Sequence, residues 1–188
     1  LACLTEAGVS LHEQVFTPAQ HVRTIEDVLQ RALRDFRVDE KETEWSALAF
    51  ALWISPVHEW KLEDGRTVSF DMLADRLLRG ALKFGVCNGT HRLYTMMALV
   101  RLDDEYHILS PDTRERIMAH LRNVKQLIMA SQFEDGHWPS NWFDGAAAVK
   151  NPLTDPLHQQ VISTGHHLEW LAIAPEELHP PRAQIEKA

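Results

Sequence analysis

The stretch from Glu42 to Ile54 most limits what this chain can become. Trp45, Ala47, Leu48, Ala49, Phe50, Ala51, Leu52, Trp53 and Ile54 leave almost no polar face, so a helix here must be covered on most sides. Ser55-Pro56 stops it, because the residue before a proline is pushed out of helical geometry. The preceding segment supplies a cover. Thr24 reads as an N-cap with Asp27 three residues on, and Ile25, Val28, Leu29, Ala32, Leu33 and Phe36 make one apolar stripe. The unit is an amphipathic outer helix followed by a buried inner one.

The pairing recurs. Phe70, Leu73, Ala74, Leu77 and Leu78 predict an amphipathic helix ending near Gly85. A helix over Thr90–Leu102 follows, with Leu93, Met96, Met97 and Val100 on one side and Ala98 and Leu99 filling in. Ser110, with Pro111 at the first helical position, opens a third outer helix striped by Ile117, Leu121, Val124 and Ile128. A further helix is expected from about Asp155 to Ile173, and Arg182 to Ala188 can begin another. Residues 1–22 read as irregular or marginally helical, and no alternating run bounded by hairpin turns reads as a strand. The expected class is all-α: one domain over residues 1–188, built of antiparallel helical pairs in units of about 23–60, 61–105 and 106–175.

The totals narrow the function. With 188 residues, 45% of them apolar and 24% charged, the chain can bury a sizeable core and be soluble. A net charge of −8 without any basic run argues against nucleic acid as partner. No apolar run is long enough to span a membrane. Cys3 and Cys87 are the only cysteines, which gives no disulfide framework and no Cys-x-x-Cys, so a cysteine-based zinc site is not expected; Cys87 reads as a buried reduced thiol. This usage favours the cytoplasm, but the compartment stays open, and the start at Leu1 is expected to reflect a removed segment or a longer chain.

Two features repeat in the same order. Glu63-Asp64-Gly65 and Glu134-Asp135-Gly136 lie 71 positions apart (64 to 135), and His91 and His166 lie 75 apart. Repeated helical pairs stack on one another because none buries its faces alone. Gln132-x-x-x-Gly136-x-Trp138, preceded by Leu127-Ile128-Met129, resembles the QW repeat of squalene–hopene cyclases and related terpenoid cyclases. Glu134-Asp135-Gly136 is similar to the Asp-Gly core of the same turn in protein prenyltransferase β subunits. In the earlier copy, Lys61 and Thr67 stand where the Gln and Trp would be. The resemblance implies an α/α toroid, partial or complete, with inner helices around a cavity and the Gln and Trp tying helix ends at the rim. It does not carry terpenoid chemistry across. No Asp-x-Asp-Asp acid is present, Asp103-Asp104-Glu105 lacks the spacing of a class I magnesium motif, and the prenyltransferase set of Asp, Cys and His does not map.

In a toroid the starts of inner helices meet at one mouth, where unpaired N–H groups and the helix dipole favour a polar ligand. Asn88-Gly89-Thr90-His91-Arg92 and Ser163-Thr164-Gly165-His166-His167 are both expected there, with Gly89 and Gly165 permitting close approach. His91, Tyr94 and Thr95 share a helical face, and so do His166, Glu169 and Trp170. The candidate catalytic residues are therefore His91, His166, Tyr94 and Glu169, with a His as general base. Asn88, Thr90, Arg92, Trp142 and Trp170 are the candidate ligand contacts. Among fold-level analogues, toroidal polysaccharide lyases and glycoside hydrolases use such groups.

Plainer roles stand beside these. A His at a helix start often caps the helix, Asp64 and Asp135 more often hold turn N–H groups than act as acids, and His167 points away from His166 around the helix. His166-x-x-Glu169 has the spacing of two metal ligands, and His58, Glu59, His91, His137 and Asp135 are further donors, but no compact signature assigns a metal or any other cofactor. The expected function is an enzyme or enzyme-like domain for a small or carbohydrate-like molecule. The alternative is a non-catalytic helical scaffold that binds a protein partner.

Overall fold

The computed structural model describes residues 1–18 and 20–188; the side chains of residues 17 and 20–22 lie outside the described set. α1 (Ala2–Glu6) leads into an antiparallel hairpin of β1 (Gln14–Thr17) and β2 (Gln20–Thr24). α2 (Ile25–Asp35) begins on a reciprocal cap: the Asp27 N–H donates to the Thr24 hydroxyl, and the Thr24 N–H donates to the Asp27 carboxylate. α3 (Thr43–Ile54) ends at the expected Ser55. β3 (Glu59–Lys61) and β4 (Thr67–Ser69) make a second hairpin, followed by α4 (Phe70–Arg79). A 3-10 turn at Val86–Gly89 precedes α5 (Thr90–Tyr106). Then come α6 (Pro111–Ser131), α7 (Ala146–Lys150), α8 (Leu157–Ala172) and α9 (Arg182–Lys187).

The fold is mostly helical, as the patterning predicts, with three corrections. The two hairpins were not expected. Three-residue strands are too short to show alternation; what fixes β3 and β4 is Val68, fully buried, and Trp60, set edge-on to Phe50. Secondly, α4 stops at Arg79 rather than near Gly85. Gly80 caps it in extended geometry, and the Arg92 guanidinium fills the space beside it; a Cβ there would lie 2.2 Å from Arg92 Nη1. Thirdly, α8 runs unbroken from Leu157, so Gly165-His166 sits in mid-helix and is not a helix start.

The helices form two layers. α1, α3, α5 and α8 lie side by side in that order, while α4 covers α3 and α5, and α6 covers α4 and α5. This follows from the apolar patterning. α3 and α5 bury residues around most of their circumference, whereas α4 buries the stripe Phe70, Leu73, Ala74 and Leu77. At about 1.5–3 kcal/mol for each large apolar side chain enclosed, such faces dominate the folding free energy.

The Asp-Gly repeat is real at the backbone. The Leu62 N–H donates to the Arg66 carbonyl and the Gly65 N–H to the Leu62 carbonyl; 71 positions on, the Phe133 N–H donates to the His137 carbonyl and the Gly136 N–H to the Phe133 carbonyl. In both turns the glycine has positive φ, and the Asp carboxylate accepts from the N–H two residues later. The later copy fastens α9. Gln132 donates its amide to the carbonyls of Gly136 (2.7 Å) and Gln184 (2.8 Å), and Trp138, fully buried, donates to the Ile128 carbonyl at 2.8 Å.

Candidate functional site

The segment between α4 and α5 is bent hard. Cys87 (φ 48°, ψ 52°), Asn88 (φ 58°, ψ 34°) and Gly89 (φ 81°) occupy the left-handed region in succession. Gly89 has to be glycine: a Cβ would lie 2.2 Å from the Leu82 carbonyl oxygen. Asn tolerates this conformation, but a cysteine held there costs about 1–3 kcal/mol and persists only if its surroundings impose it.

They do. The Glu44 carboxylate, buried on α3, accepts the Val86 N–H at 3.1 Å. The Thr90 hydroxyl donates to the Cys87 carbonyl at 2.6 Å, the Arg92 guanidinium to the Ala81 carbonyl at 3.1 Å, and the Trp142 indole to the Asn88 carbonyl at 3.1 Å. Backbone groups that no regular element would pair are thereby satisfied.

The bend delivers Cys87 to two histidines. The Cys87 sulfur and one ring nitrogen each from His91 and His166 all lie within 4.8 Å of one another. The two imidazoles tilt against each other with centroids 4.3 Å apart, and the far side of His91 meets the Trp45 ring at 4.4 Å. Glu169, one turn along α8, takes the Nδ1 of His166 at 2.5 Å. Tyr94 lies one turn along α5 from His91, under the influence of the Glu6 and Glu169 carboxylates.

Burial biases two members of the cluster, His91 and Cys87, toward their neutral forms. Burial, reinforced by His166, lowers the His91 pKa; Glu169, Glu44 and Glu6 oppose this. Burial, then Glu169, pushes the Cys87 thiol up. The Tyr94 phenol is pushed up to about 12 by burial and by Glu6, so it stays a neutral donor. Trp45 also lines an open groove of about 400 Å³, shared with Ala32, Phe36, Ser46, Ala49 and Phe50.

Of the residues singled out in the sequence, His91, His166, Tyr94 and Glu169 are brought to one place. The ligand-contact set is not. Thr90 and Arg92 are buried and bonded to the bend, and Trp142 and Trp170 are wholly enclosed, so these four face the interior and present no surface to a ligand. Asn88 contributes its carbonyl to Trp142. Gly165 has open space where a Cβ would sit and so makes no close approach. His58 and Glu59 are exposed, and neither lies with the cluster; His137 and Asp135 pair with each other at 2.6 Å in the turn.

The residue that sequence reasoning missed is Cys87, set aside as a buried thiol outside any metal site; it is only half-buried and stands with two histidines. Its signal was the compact string Cys87-Asn88-Gly89-Thr90-His91, whose Asn-Gly step invites a tight bend between two donors. Among the described residues, this trio is the one group of three donor residues close enough to share an ion.

A scan against protein-family models, a search of curated proteins and a search of solved structures each found no match.

Proposed function

We propose that this chain is an enzyme-like domain of α/α-toroid type whose reactive centre is a transition-metal ion, zinc by ligand type, held by Cys87, His91 and His166. The observation that carries the reading is the convergence of one sulfur and two imidazole nitrogens within 4.8 Å. Bond lengths of about 2.0–2.3 Å place two ligands of one tetrahedral zinc roughly 3.3–3.6 Å apart, a distance reached by small side-chain rotations.

Three protein ligands leave a fourth position, the arrangement of catalytic rather than structural zinc sites. An ion there supplies Lewis acidity at that position. The protein's own groups do the rest. Glu169 fixes the His166 ring through Nδ1, which leaves Nε2 to the ion. Tyr94 offers a hydroxyl that remains protonated. Trp45, which packs on His91, also lines a groove to which Cys87, His91 and His166 contribute no side chain, so that groove is one side chain removed from the cluster. The successive inner helices α3, α5 and α8 and the repeated Asp-Gly turn support the toroid reading.

The test is cobalt(II) titration of chelator-treated protein. A thiolate-to-cobalt charge-transfer band with tetrahedral visible bands, at one equivalent and abolished in Cys87→Ala, is expected. Saturation without a thiolate band, or an unchanged spectrum in Cys87→Ala, sinks the assignment.

A further inference from the structure

We propose that Trp142 is a positioning residue for this centre: it holds the Cys87 bend in register with the helix that carries His166. The proposal rests on the metal reading above and extends it to a residue that no ligand can reach.

Cys87 and His166 belong to elements far apart in the chain, and a metal site tolerates errors of only about 0.5 Å. One buried side chain bonds the first element and packs on the second. The Trp142 indole N–H donates to the carbonyl of Asn88, the residue after Cys87, at 3.1 Å. The same ring meets His167, the residue after His166, edge to face at a centroid distance of 4.8 Å and an interplanar angle of 89°. Both Trp142 and His167 are wholly enclosed. His167 is itself locked, since its Nδ1 accepts from the Trp170 indole at 3.1 Å. The start of the segment that carries Trp142 is pinned to α8 as well, through the Trp138 N–H and the Thr164 hydroxyl at 3.0 Å.

The hydrogen bond acts on the strained part of the bend. Asn88 sits between two other left-handed residues, and its carbonyl is satisfied by this indole. Without the N–H, the buried carbonyl loses its partner and the bend can relax toward ordinary backbone geometry. The Cys87 side chain moves with it. Glu44 holds the other end of the bend, at Val86, from α3. Trp142 ties the bend to the α8 side of the site.

The test compares Trp142→Phe with Trp138→Phe. Each keeps a large aromatic beside His167 and loses one buried indole N–H, but Trp138 donates to Ile128 and Trp142 to the bend, so the comparison isolates the bond to Asn88. Zinc affinity is measured by competition with a chromophoric chelator, alongside the cobalt spectrum and the unfolding midpoint of the metal-free protein. Trp142→Phe is expected to weaken zinc binding by about 10- to 100-fold and to shift the visible cobalt bands. Trp138→Phe should lower the unfolding midpoint and leave affinity and spectrum as in the parent. Equal affinities in the two variants, or an unchanged cobalt spectrum in Trp142→Phe, overturn the proposal. If Trp142→Phe does not fold, the parent chain decides: zinc should protect the Trp142 indole proton from exchange more than that of Trp138, whose indole bonds Ile128, and equal or reversed protection refutes the assignment. A parent protein that takes up neither zinc nor cobalt through Cys87 removes the metal reading itself.

Discussion

His91 on α5 and His166 on α8 stand 75 positions apart in the chain and face each other with ring centroids 4.3 Å apart. Two repeated histidines have become one site. Because α5 and α8 are neighbours in the inner layer, residues at matching depth on each meet across the interface. His166 works against a proton on His91 at this separation; the proposed shared cation would stand in place of one.

Metal removal should therefore be visible in stability. A ligand that binds only the folded state at 100 times its Kd adds about 2.7 kcal/mol. For a chain of this size that raises Tm by roughly 5–10 °C. We expect zinc to raise the midpoint in calorimetry, a chelator to reverse the gain, and Cys87→Ala to respond to neither. A zinc response that survives in Cys87→Ala would place the ion elsewhere.

Two glycines should answer oppositely to alanine. Gly165 lies inside α8 with open space at the Cβ position, so Gly165→Ala should stabilise by about 0.5–1 kcal/mol. Gly89 has φ 81° and the Leu82 carbonyl 2.2 Å from where a Cβ would stand. Gly89→Ala should cost at least about 1 kcal/mol and also weaken zinc binding, because the bend carrying Cys87 must shift. Chemical denaturation with a zinc competition assay reads both.

Gln132 tests the fastening turn. Its amide bridges Gly136 and Gln184, joining the turn to α9. Gln132→Leu removes both bonds and should cost about 1–3 kcal/mol, seen as a lower urea midpoint. Zinc affinity of the folded fraction should stay within error of the parent, since neither bond touches the bend. A large loss of affinity would mean that the turn reaches the site after all.

His167 sets an acid limit. Full burial, with His166 adding to it, lowers its pKa from 6.5 to about 3. The folded pKa lies below the unfolded one, so the unfolded chain takes up the proton first as pH falls. The stability from the neutral ring is complete above pH 6.5 and is lost as the pH drops towards 3. Each pH step of one across that window removes about 1.4 kcal/mol, so the loss approaches several kcal/mol. His167→Leu should flatten this limb of the stability–pH curve by up to one proton. Parallel curves for parent and variant would show that another group governs acid unfolding.

Local rules carried much of the fold into the sequence. The Thr24 cap, the stop at Ser55-Pro56 and the Ser110-Pro111 start act over a few residues, so they are legible without neighbours. The hairpin at Glu59–Ser69 was hidden because its stability comes from Trp60 against Phe50 and Phe70 rather than from strand patterning. The end of α4 at Arg79 is hidden for a similar reason, since the space beside Gly80 is filled by Arg92, twelve residues beyond.

The site divides along the same line. The amino-acid sequence by itself determined successive amphipathic and buried helices and a repeated Asp-Gly turn, because periodicity, capping and turn chemistry are short-range; it marked His91 and His166 by their repeat, on a helix-start premise that holds only for His91. Only the tertiary structure decided that Cys87 belongs with those histidines and that Trp142 and Arg92 face inward. That choice depends on the α5–α8 contact and on a left-handed bend held from three separate elements, and no short window of sequence contains those partners.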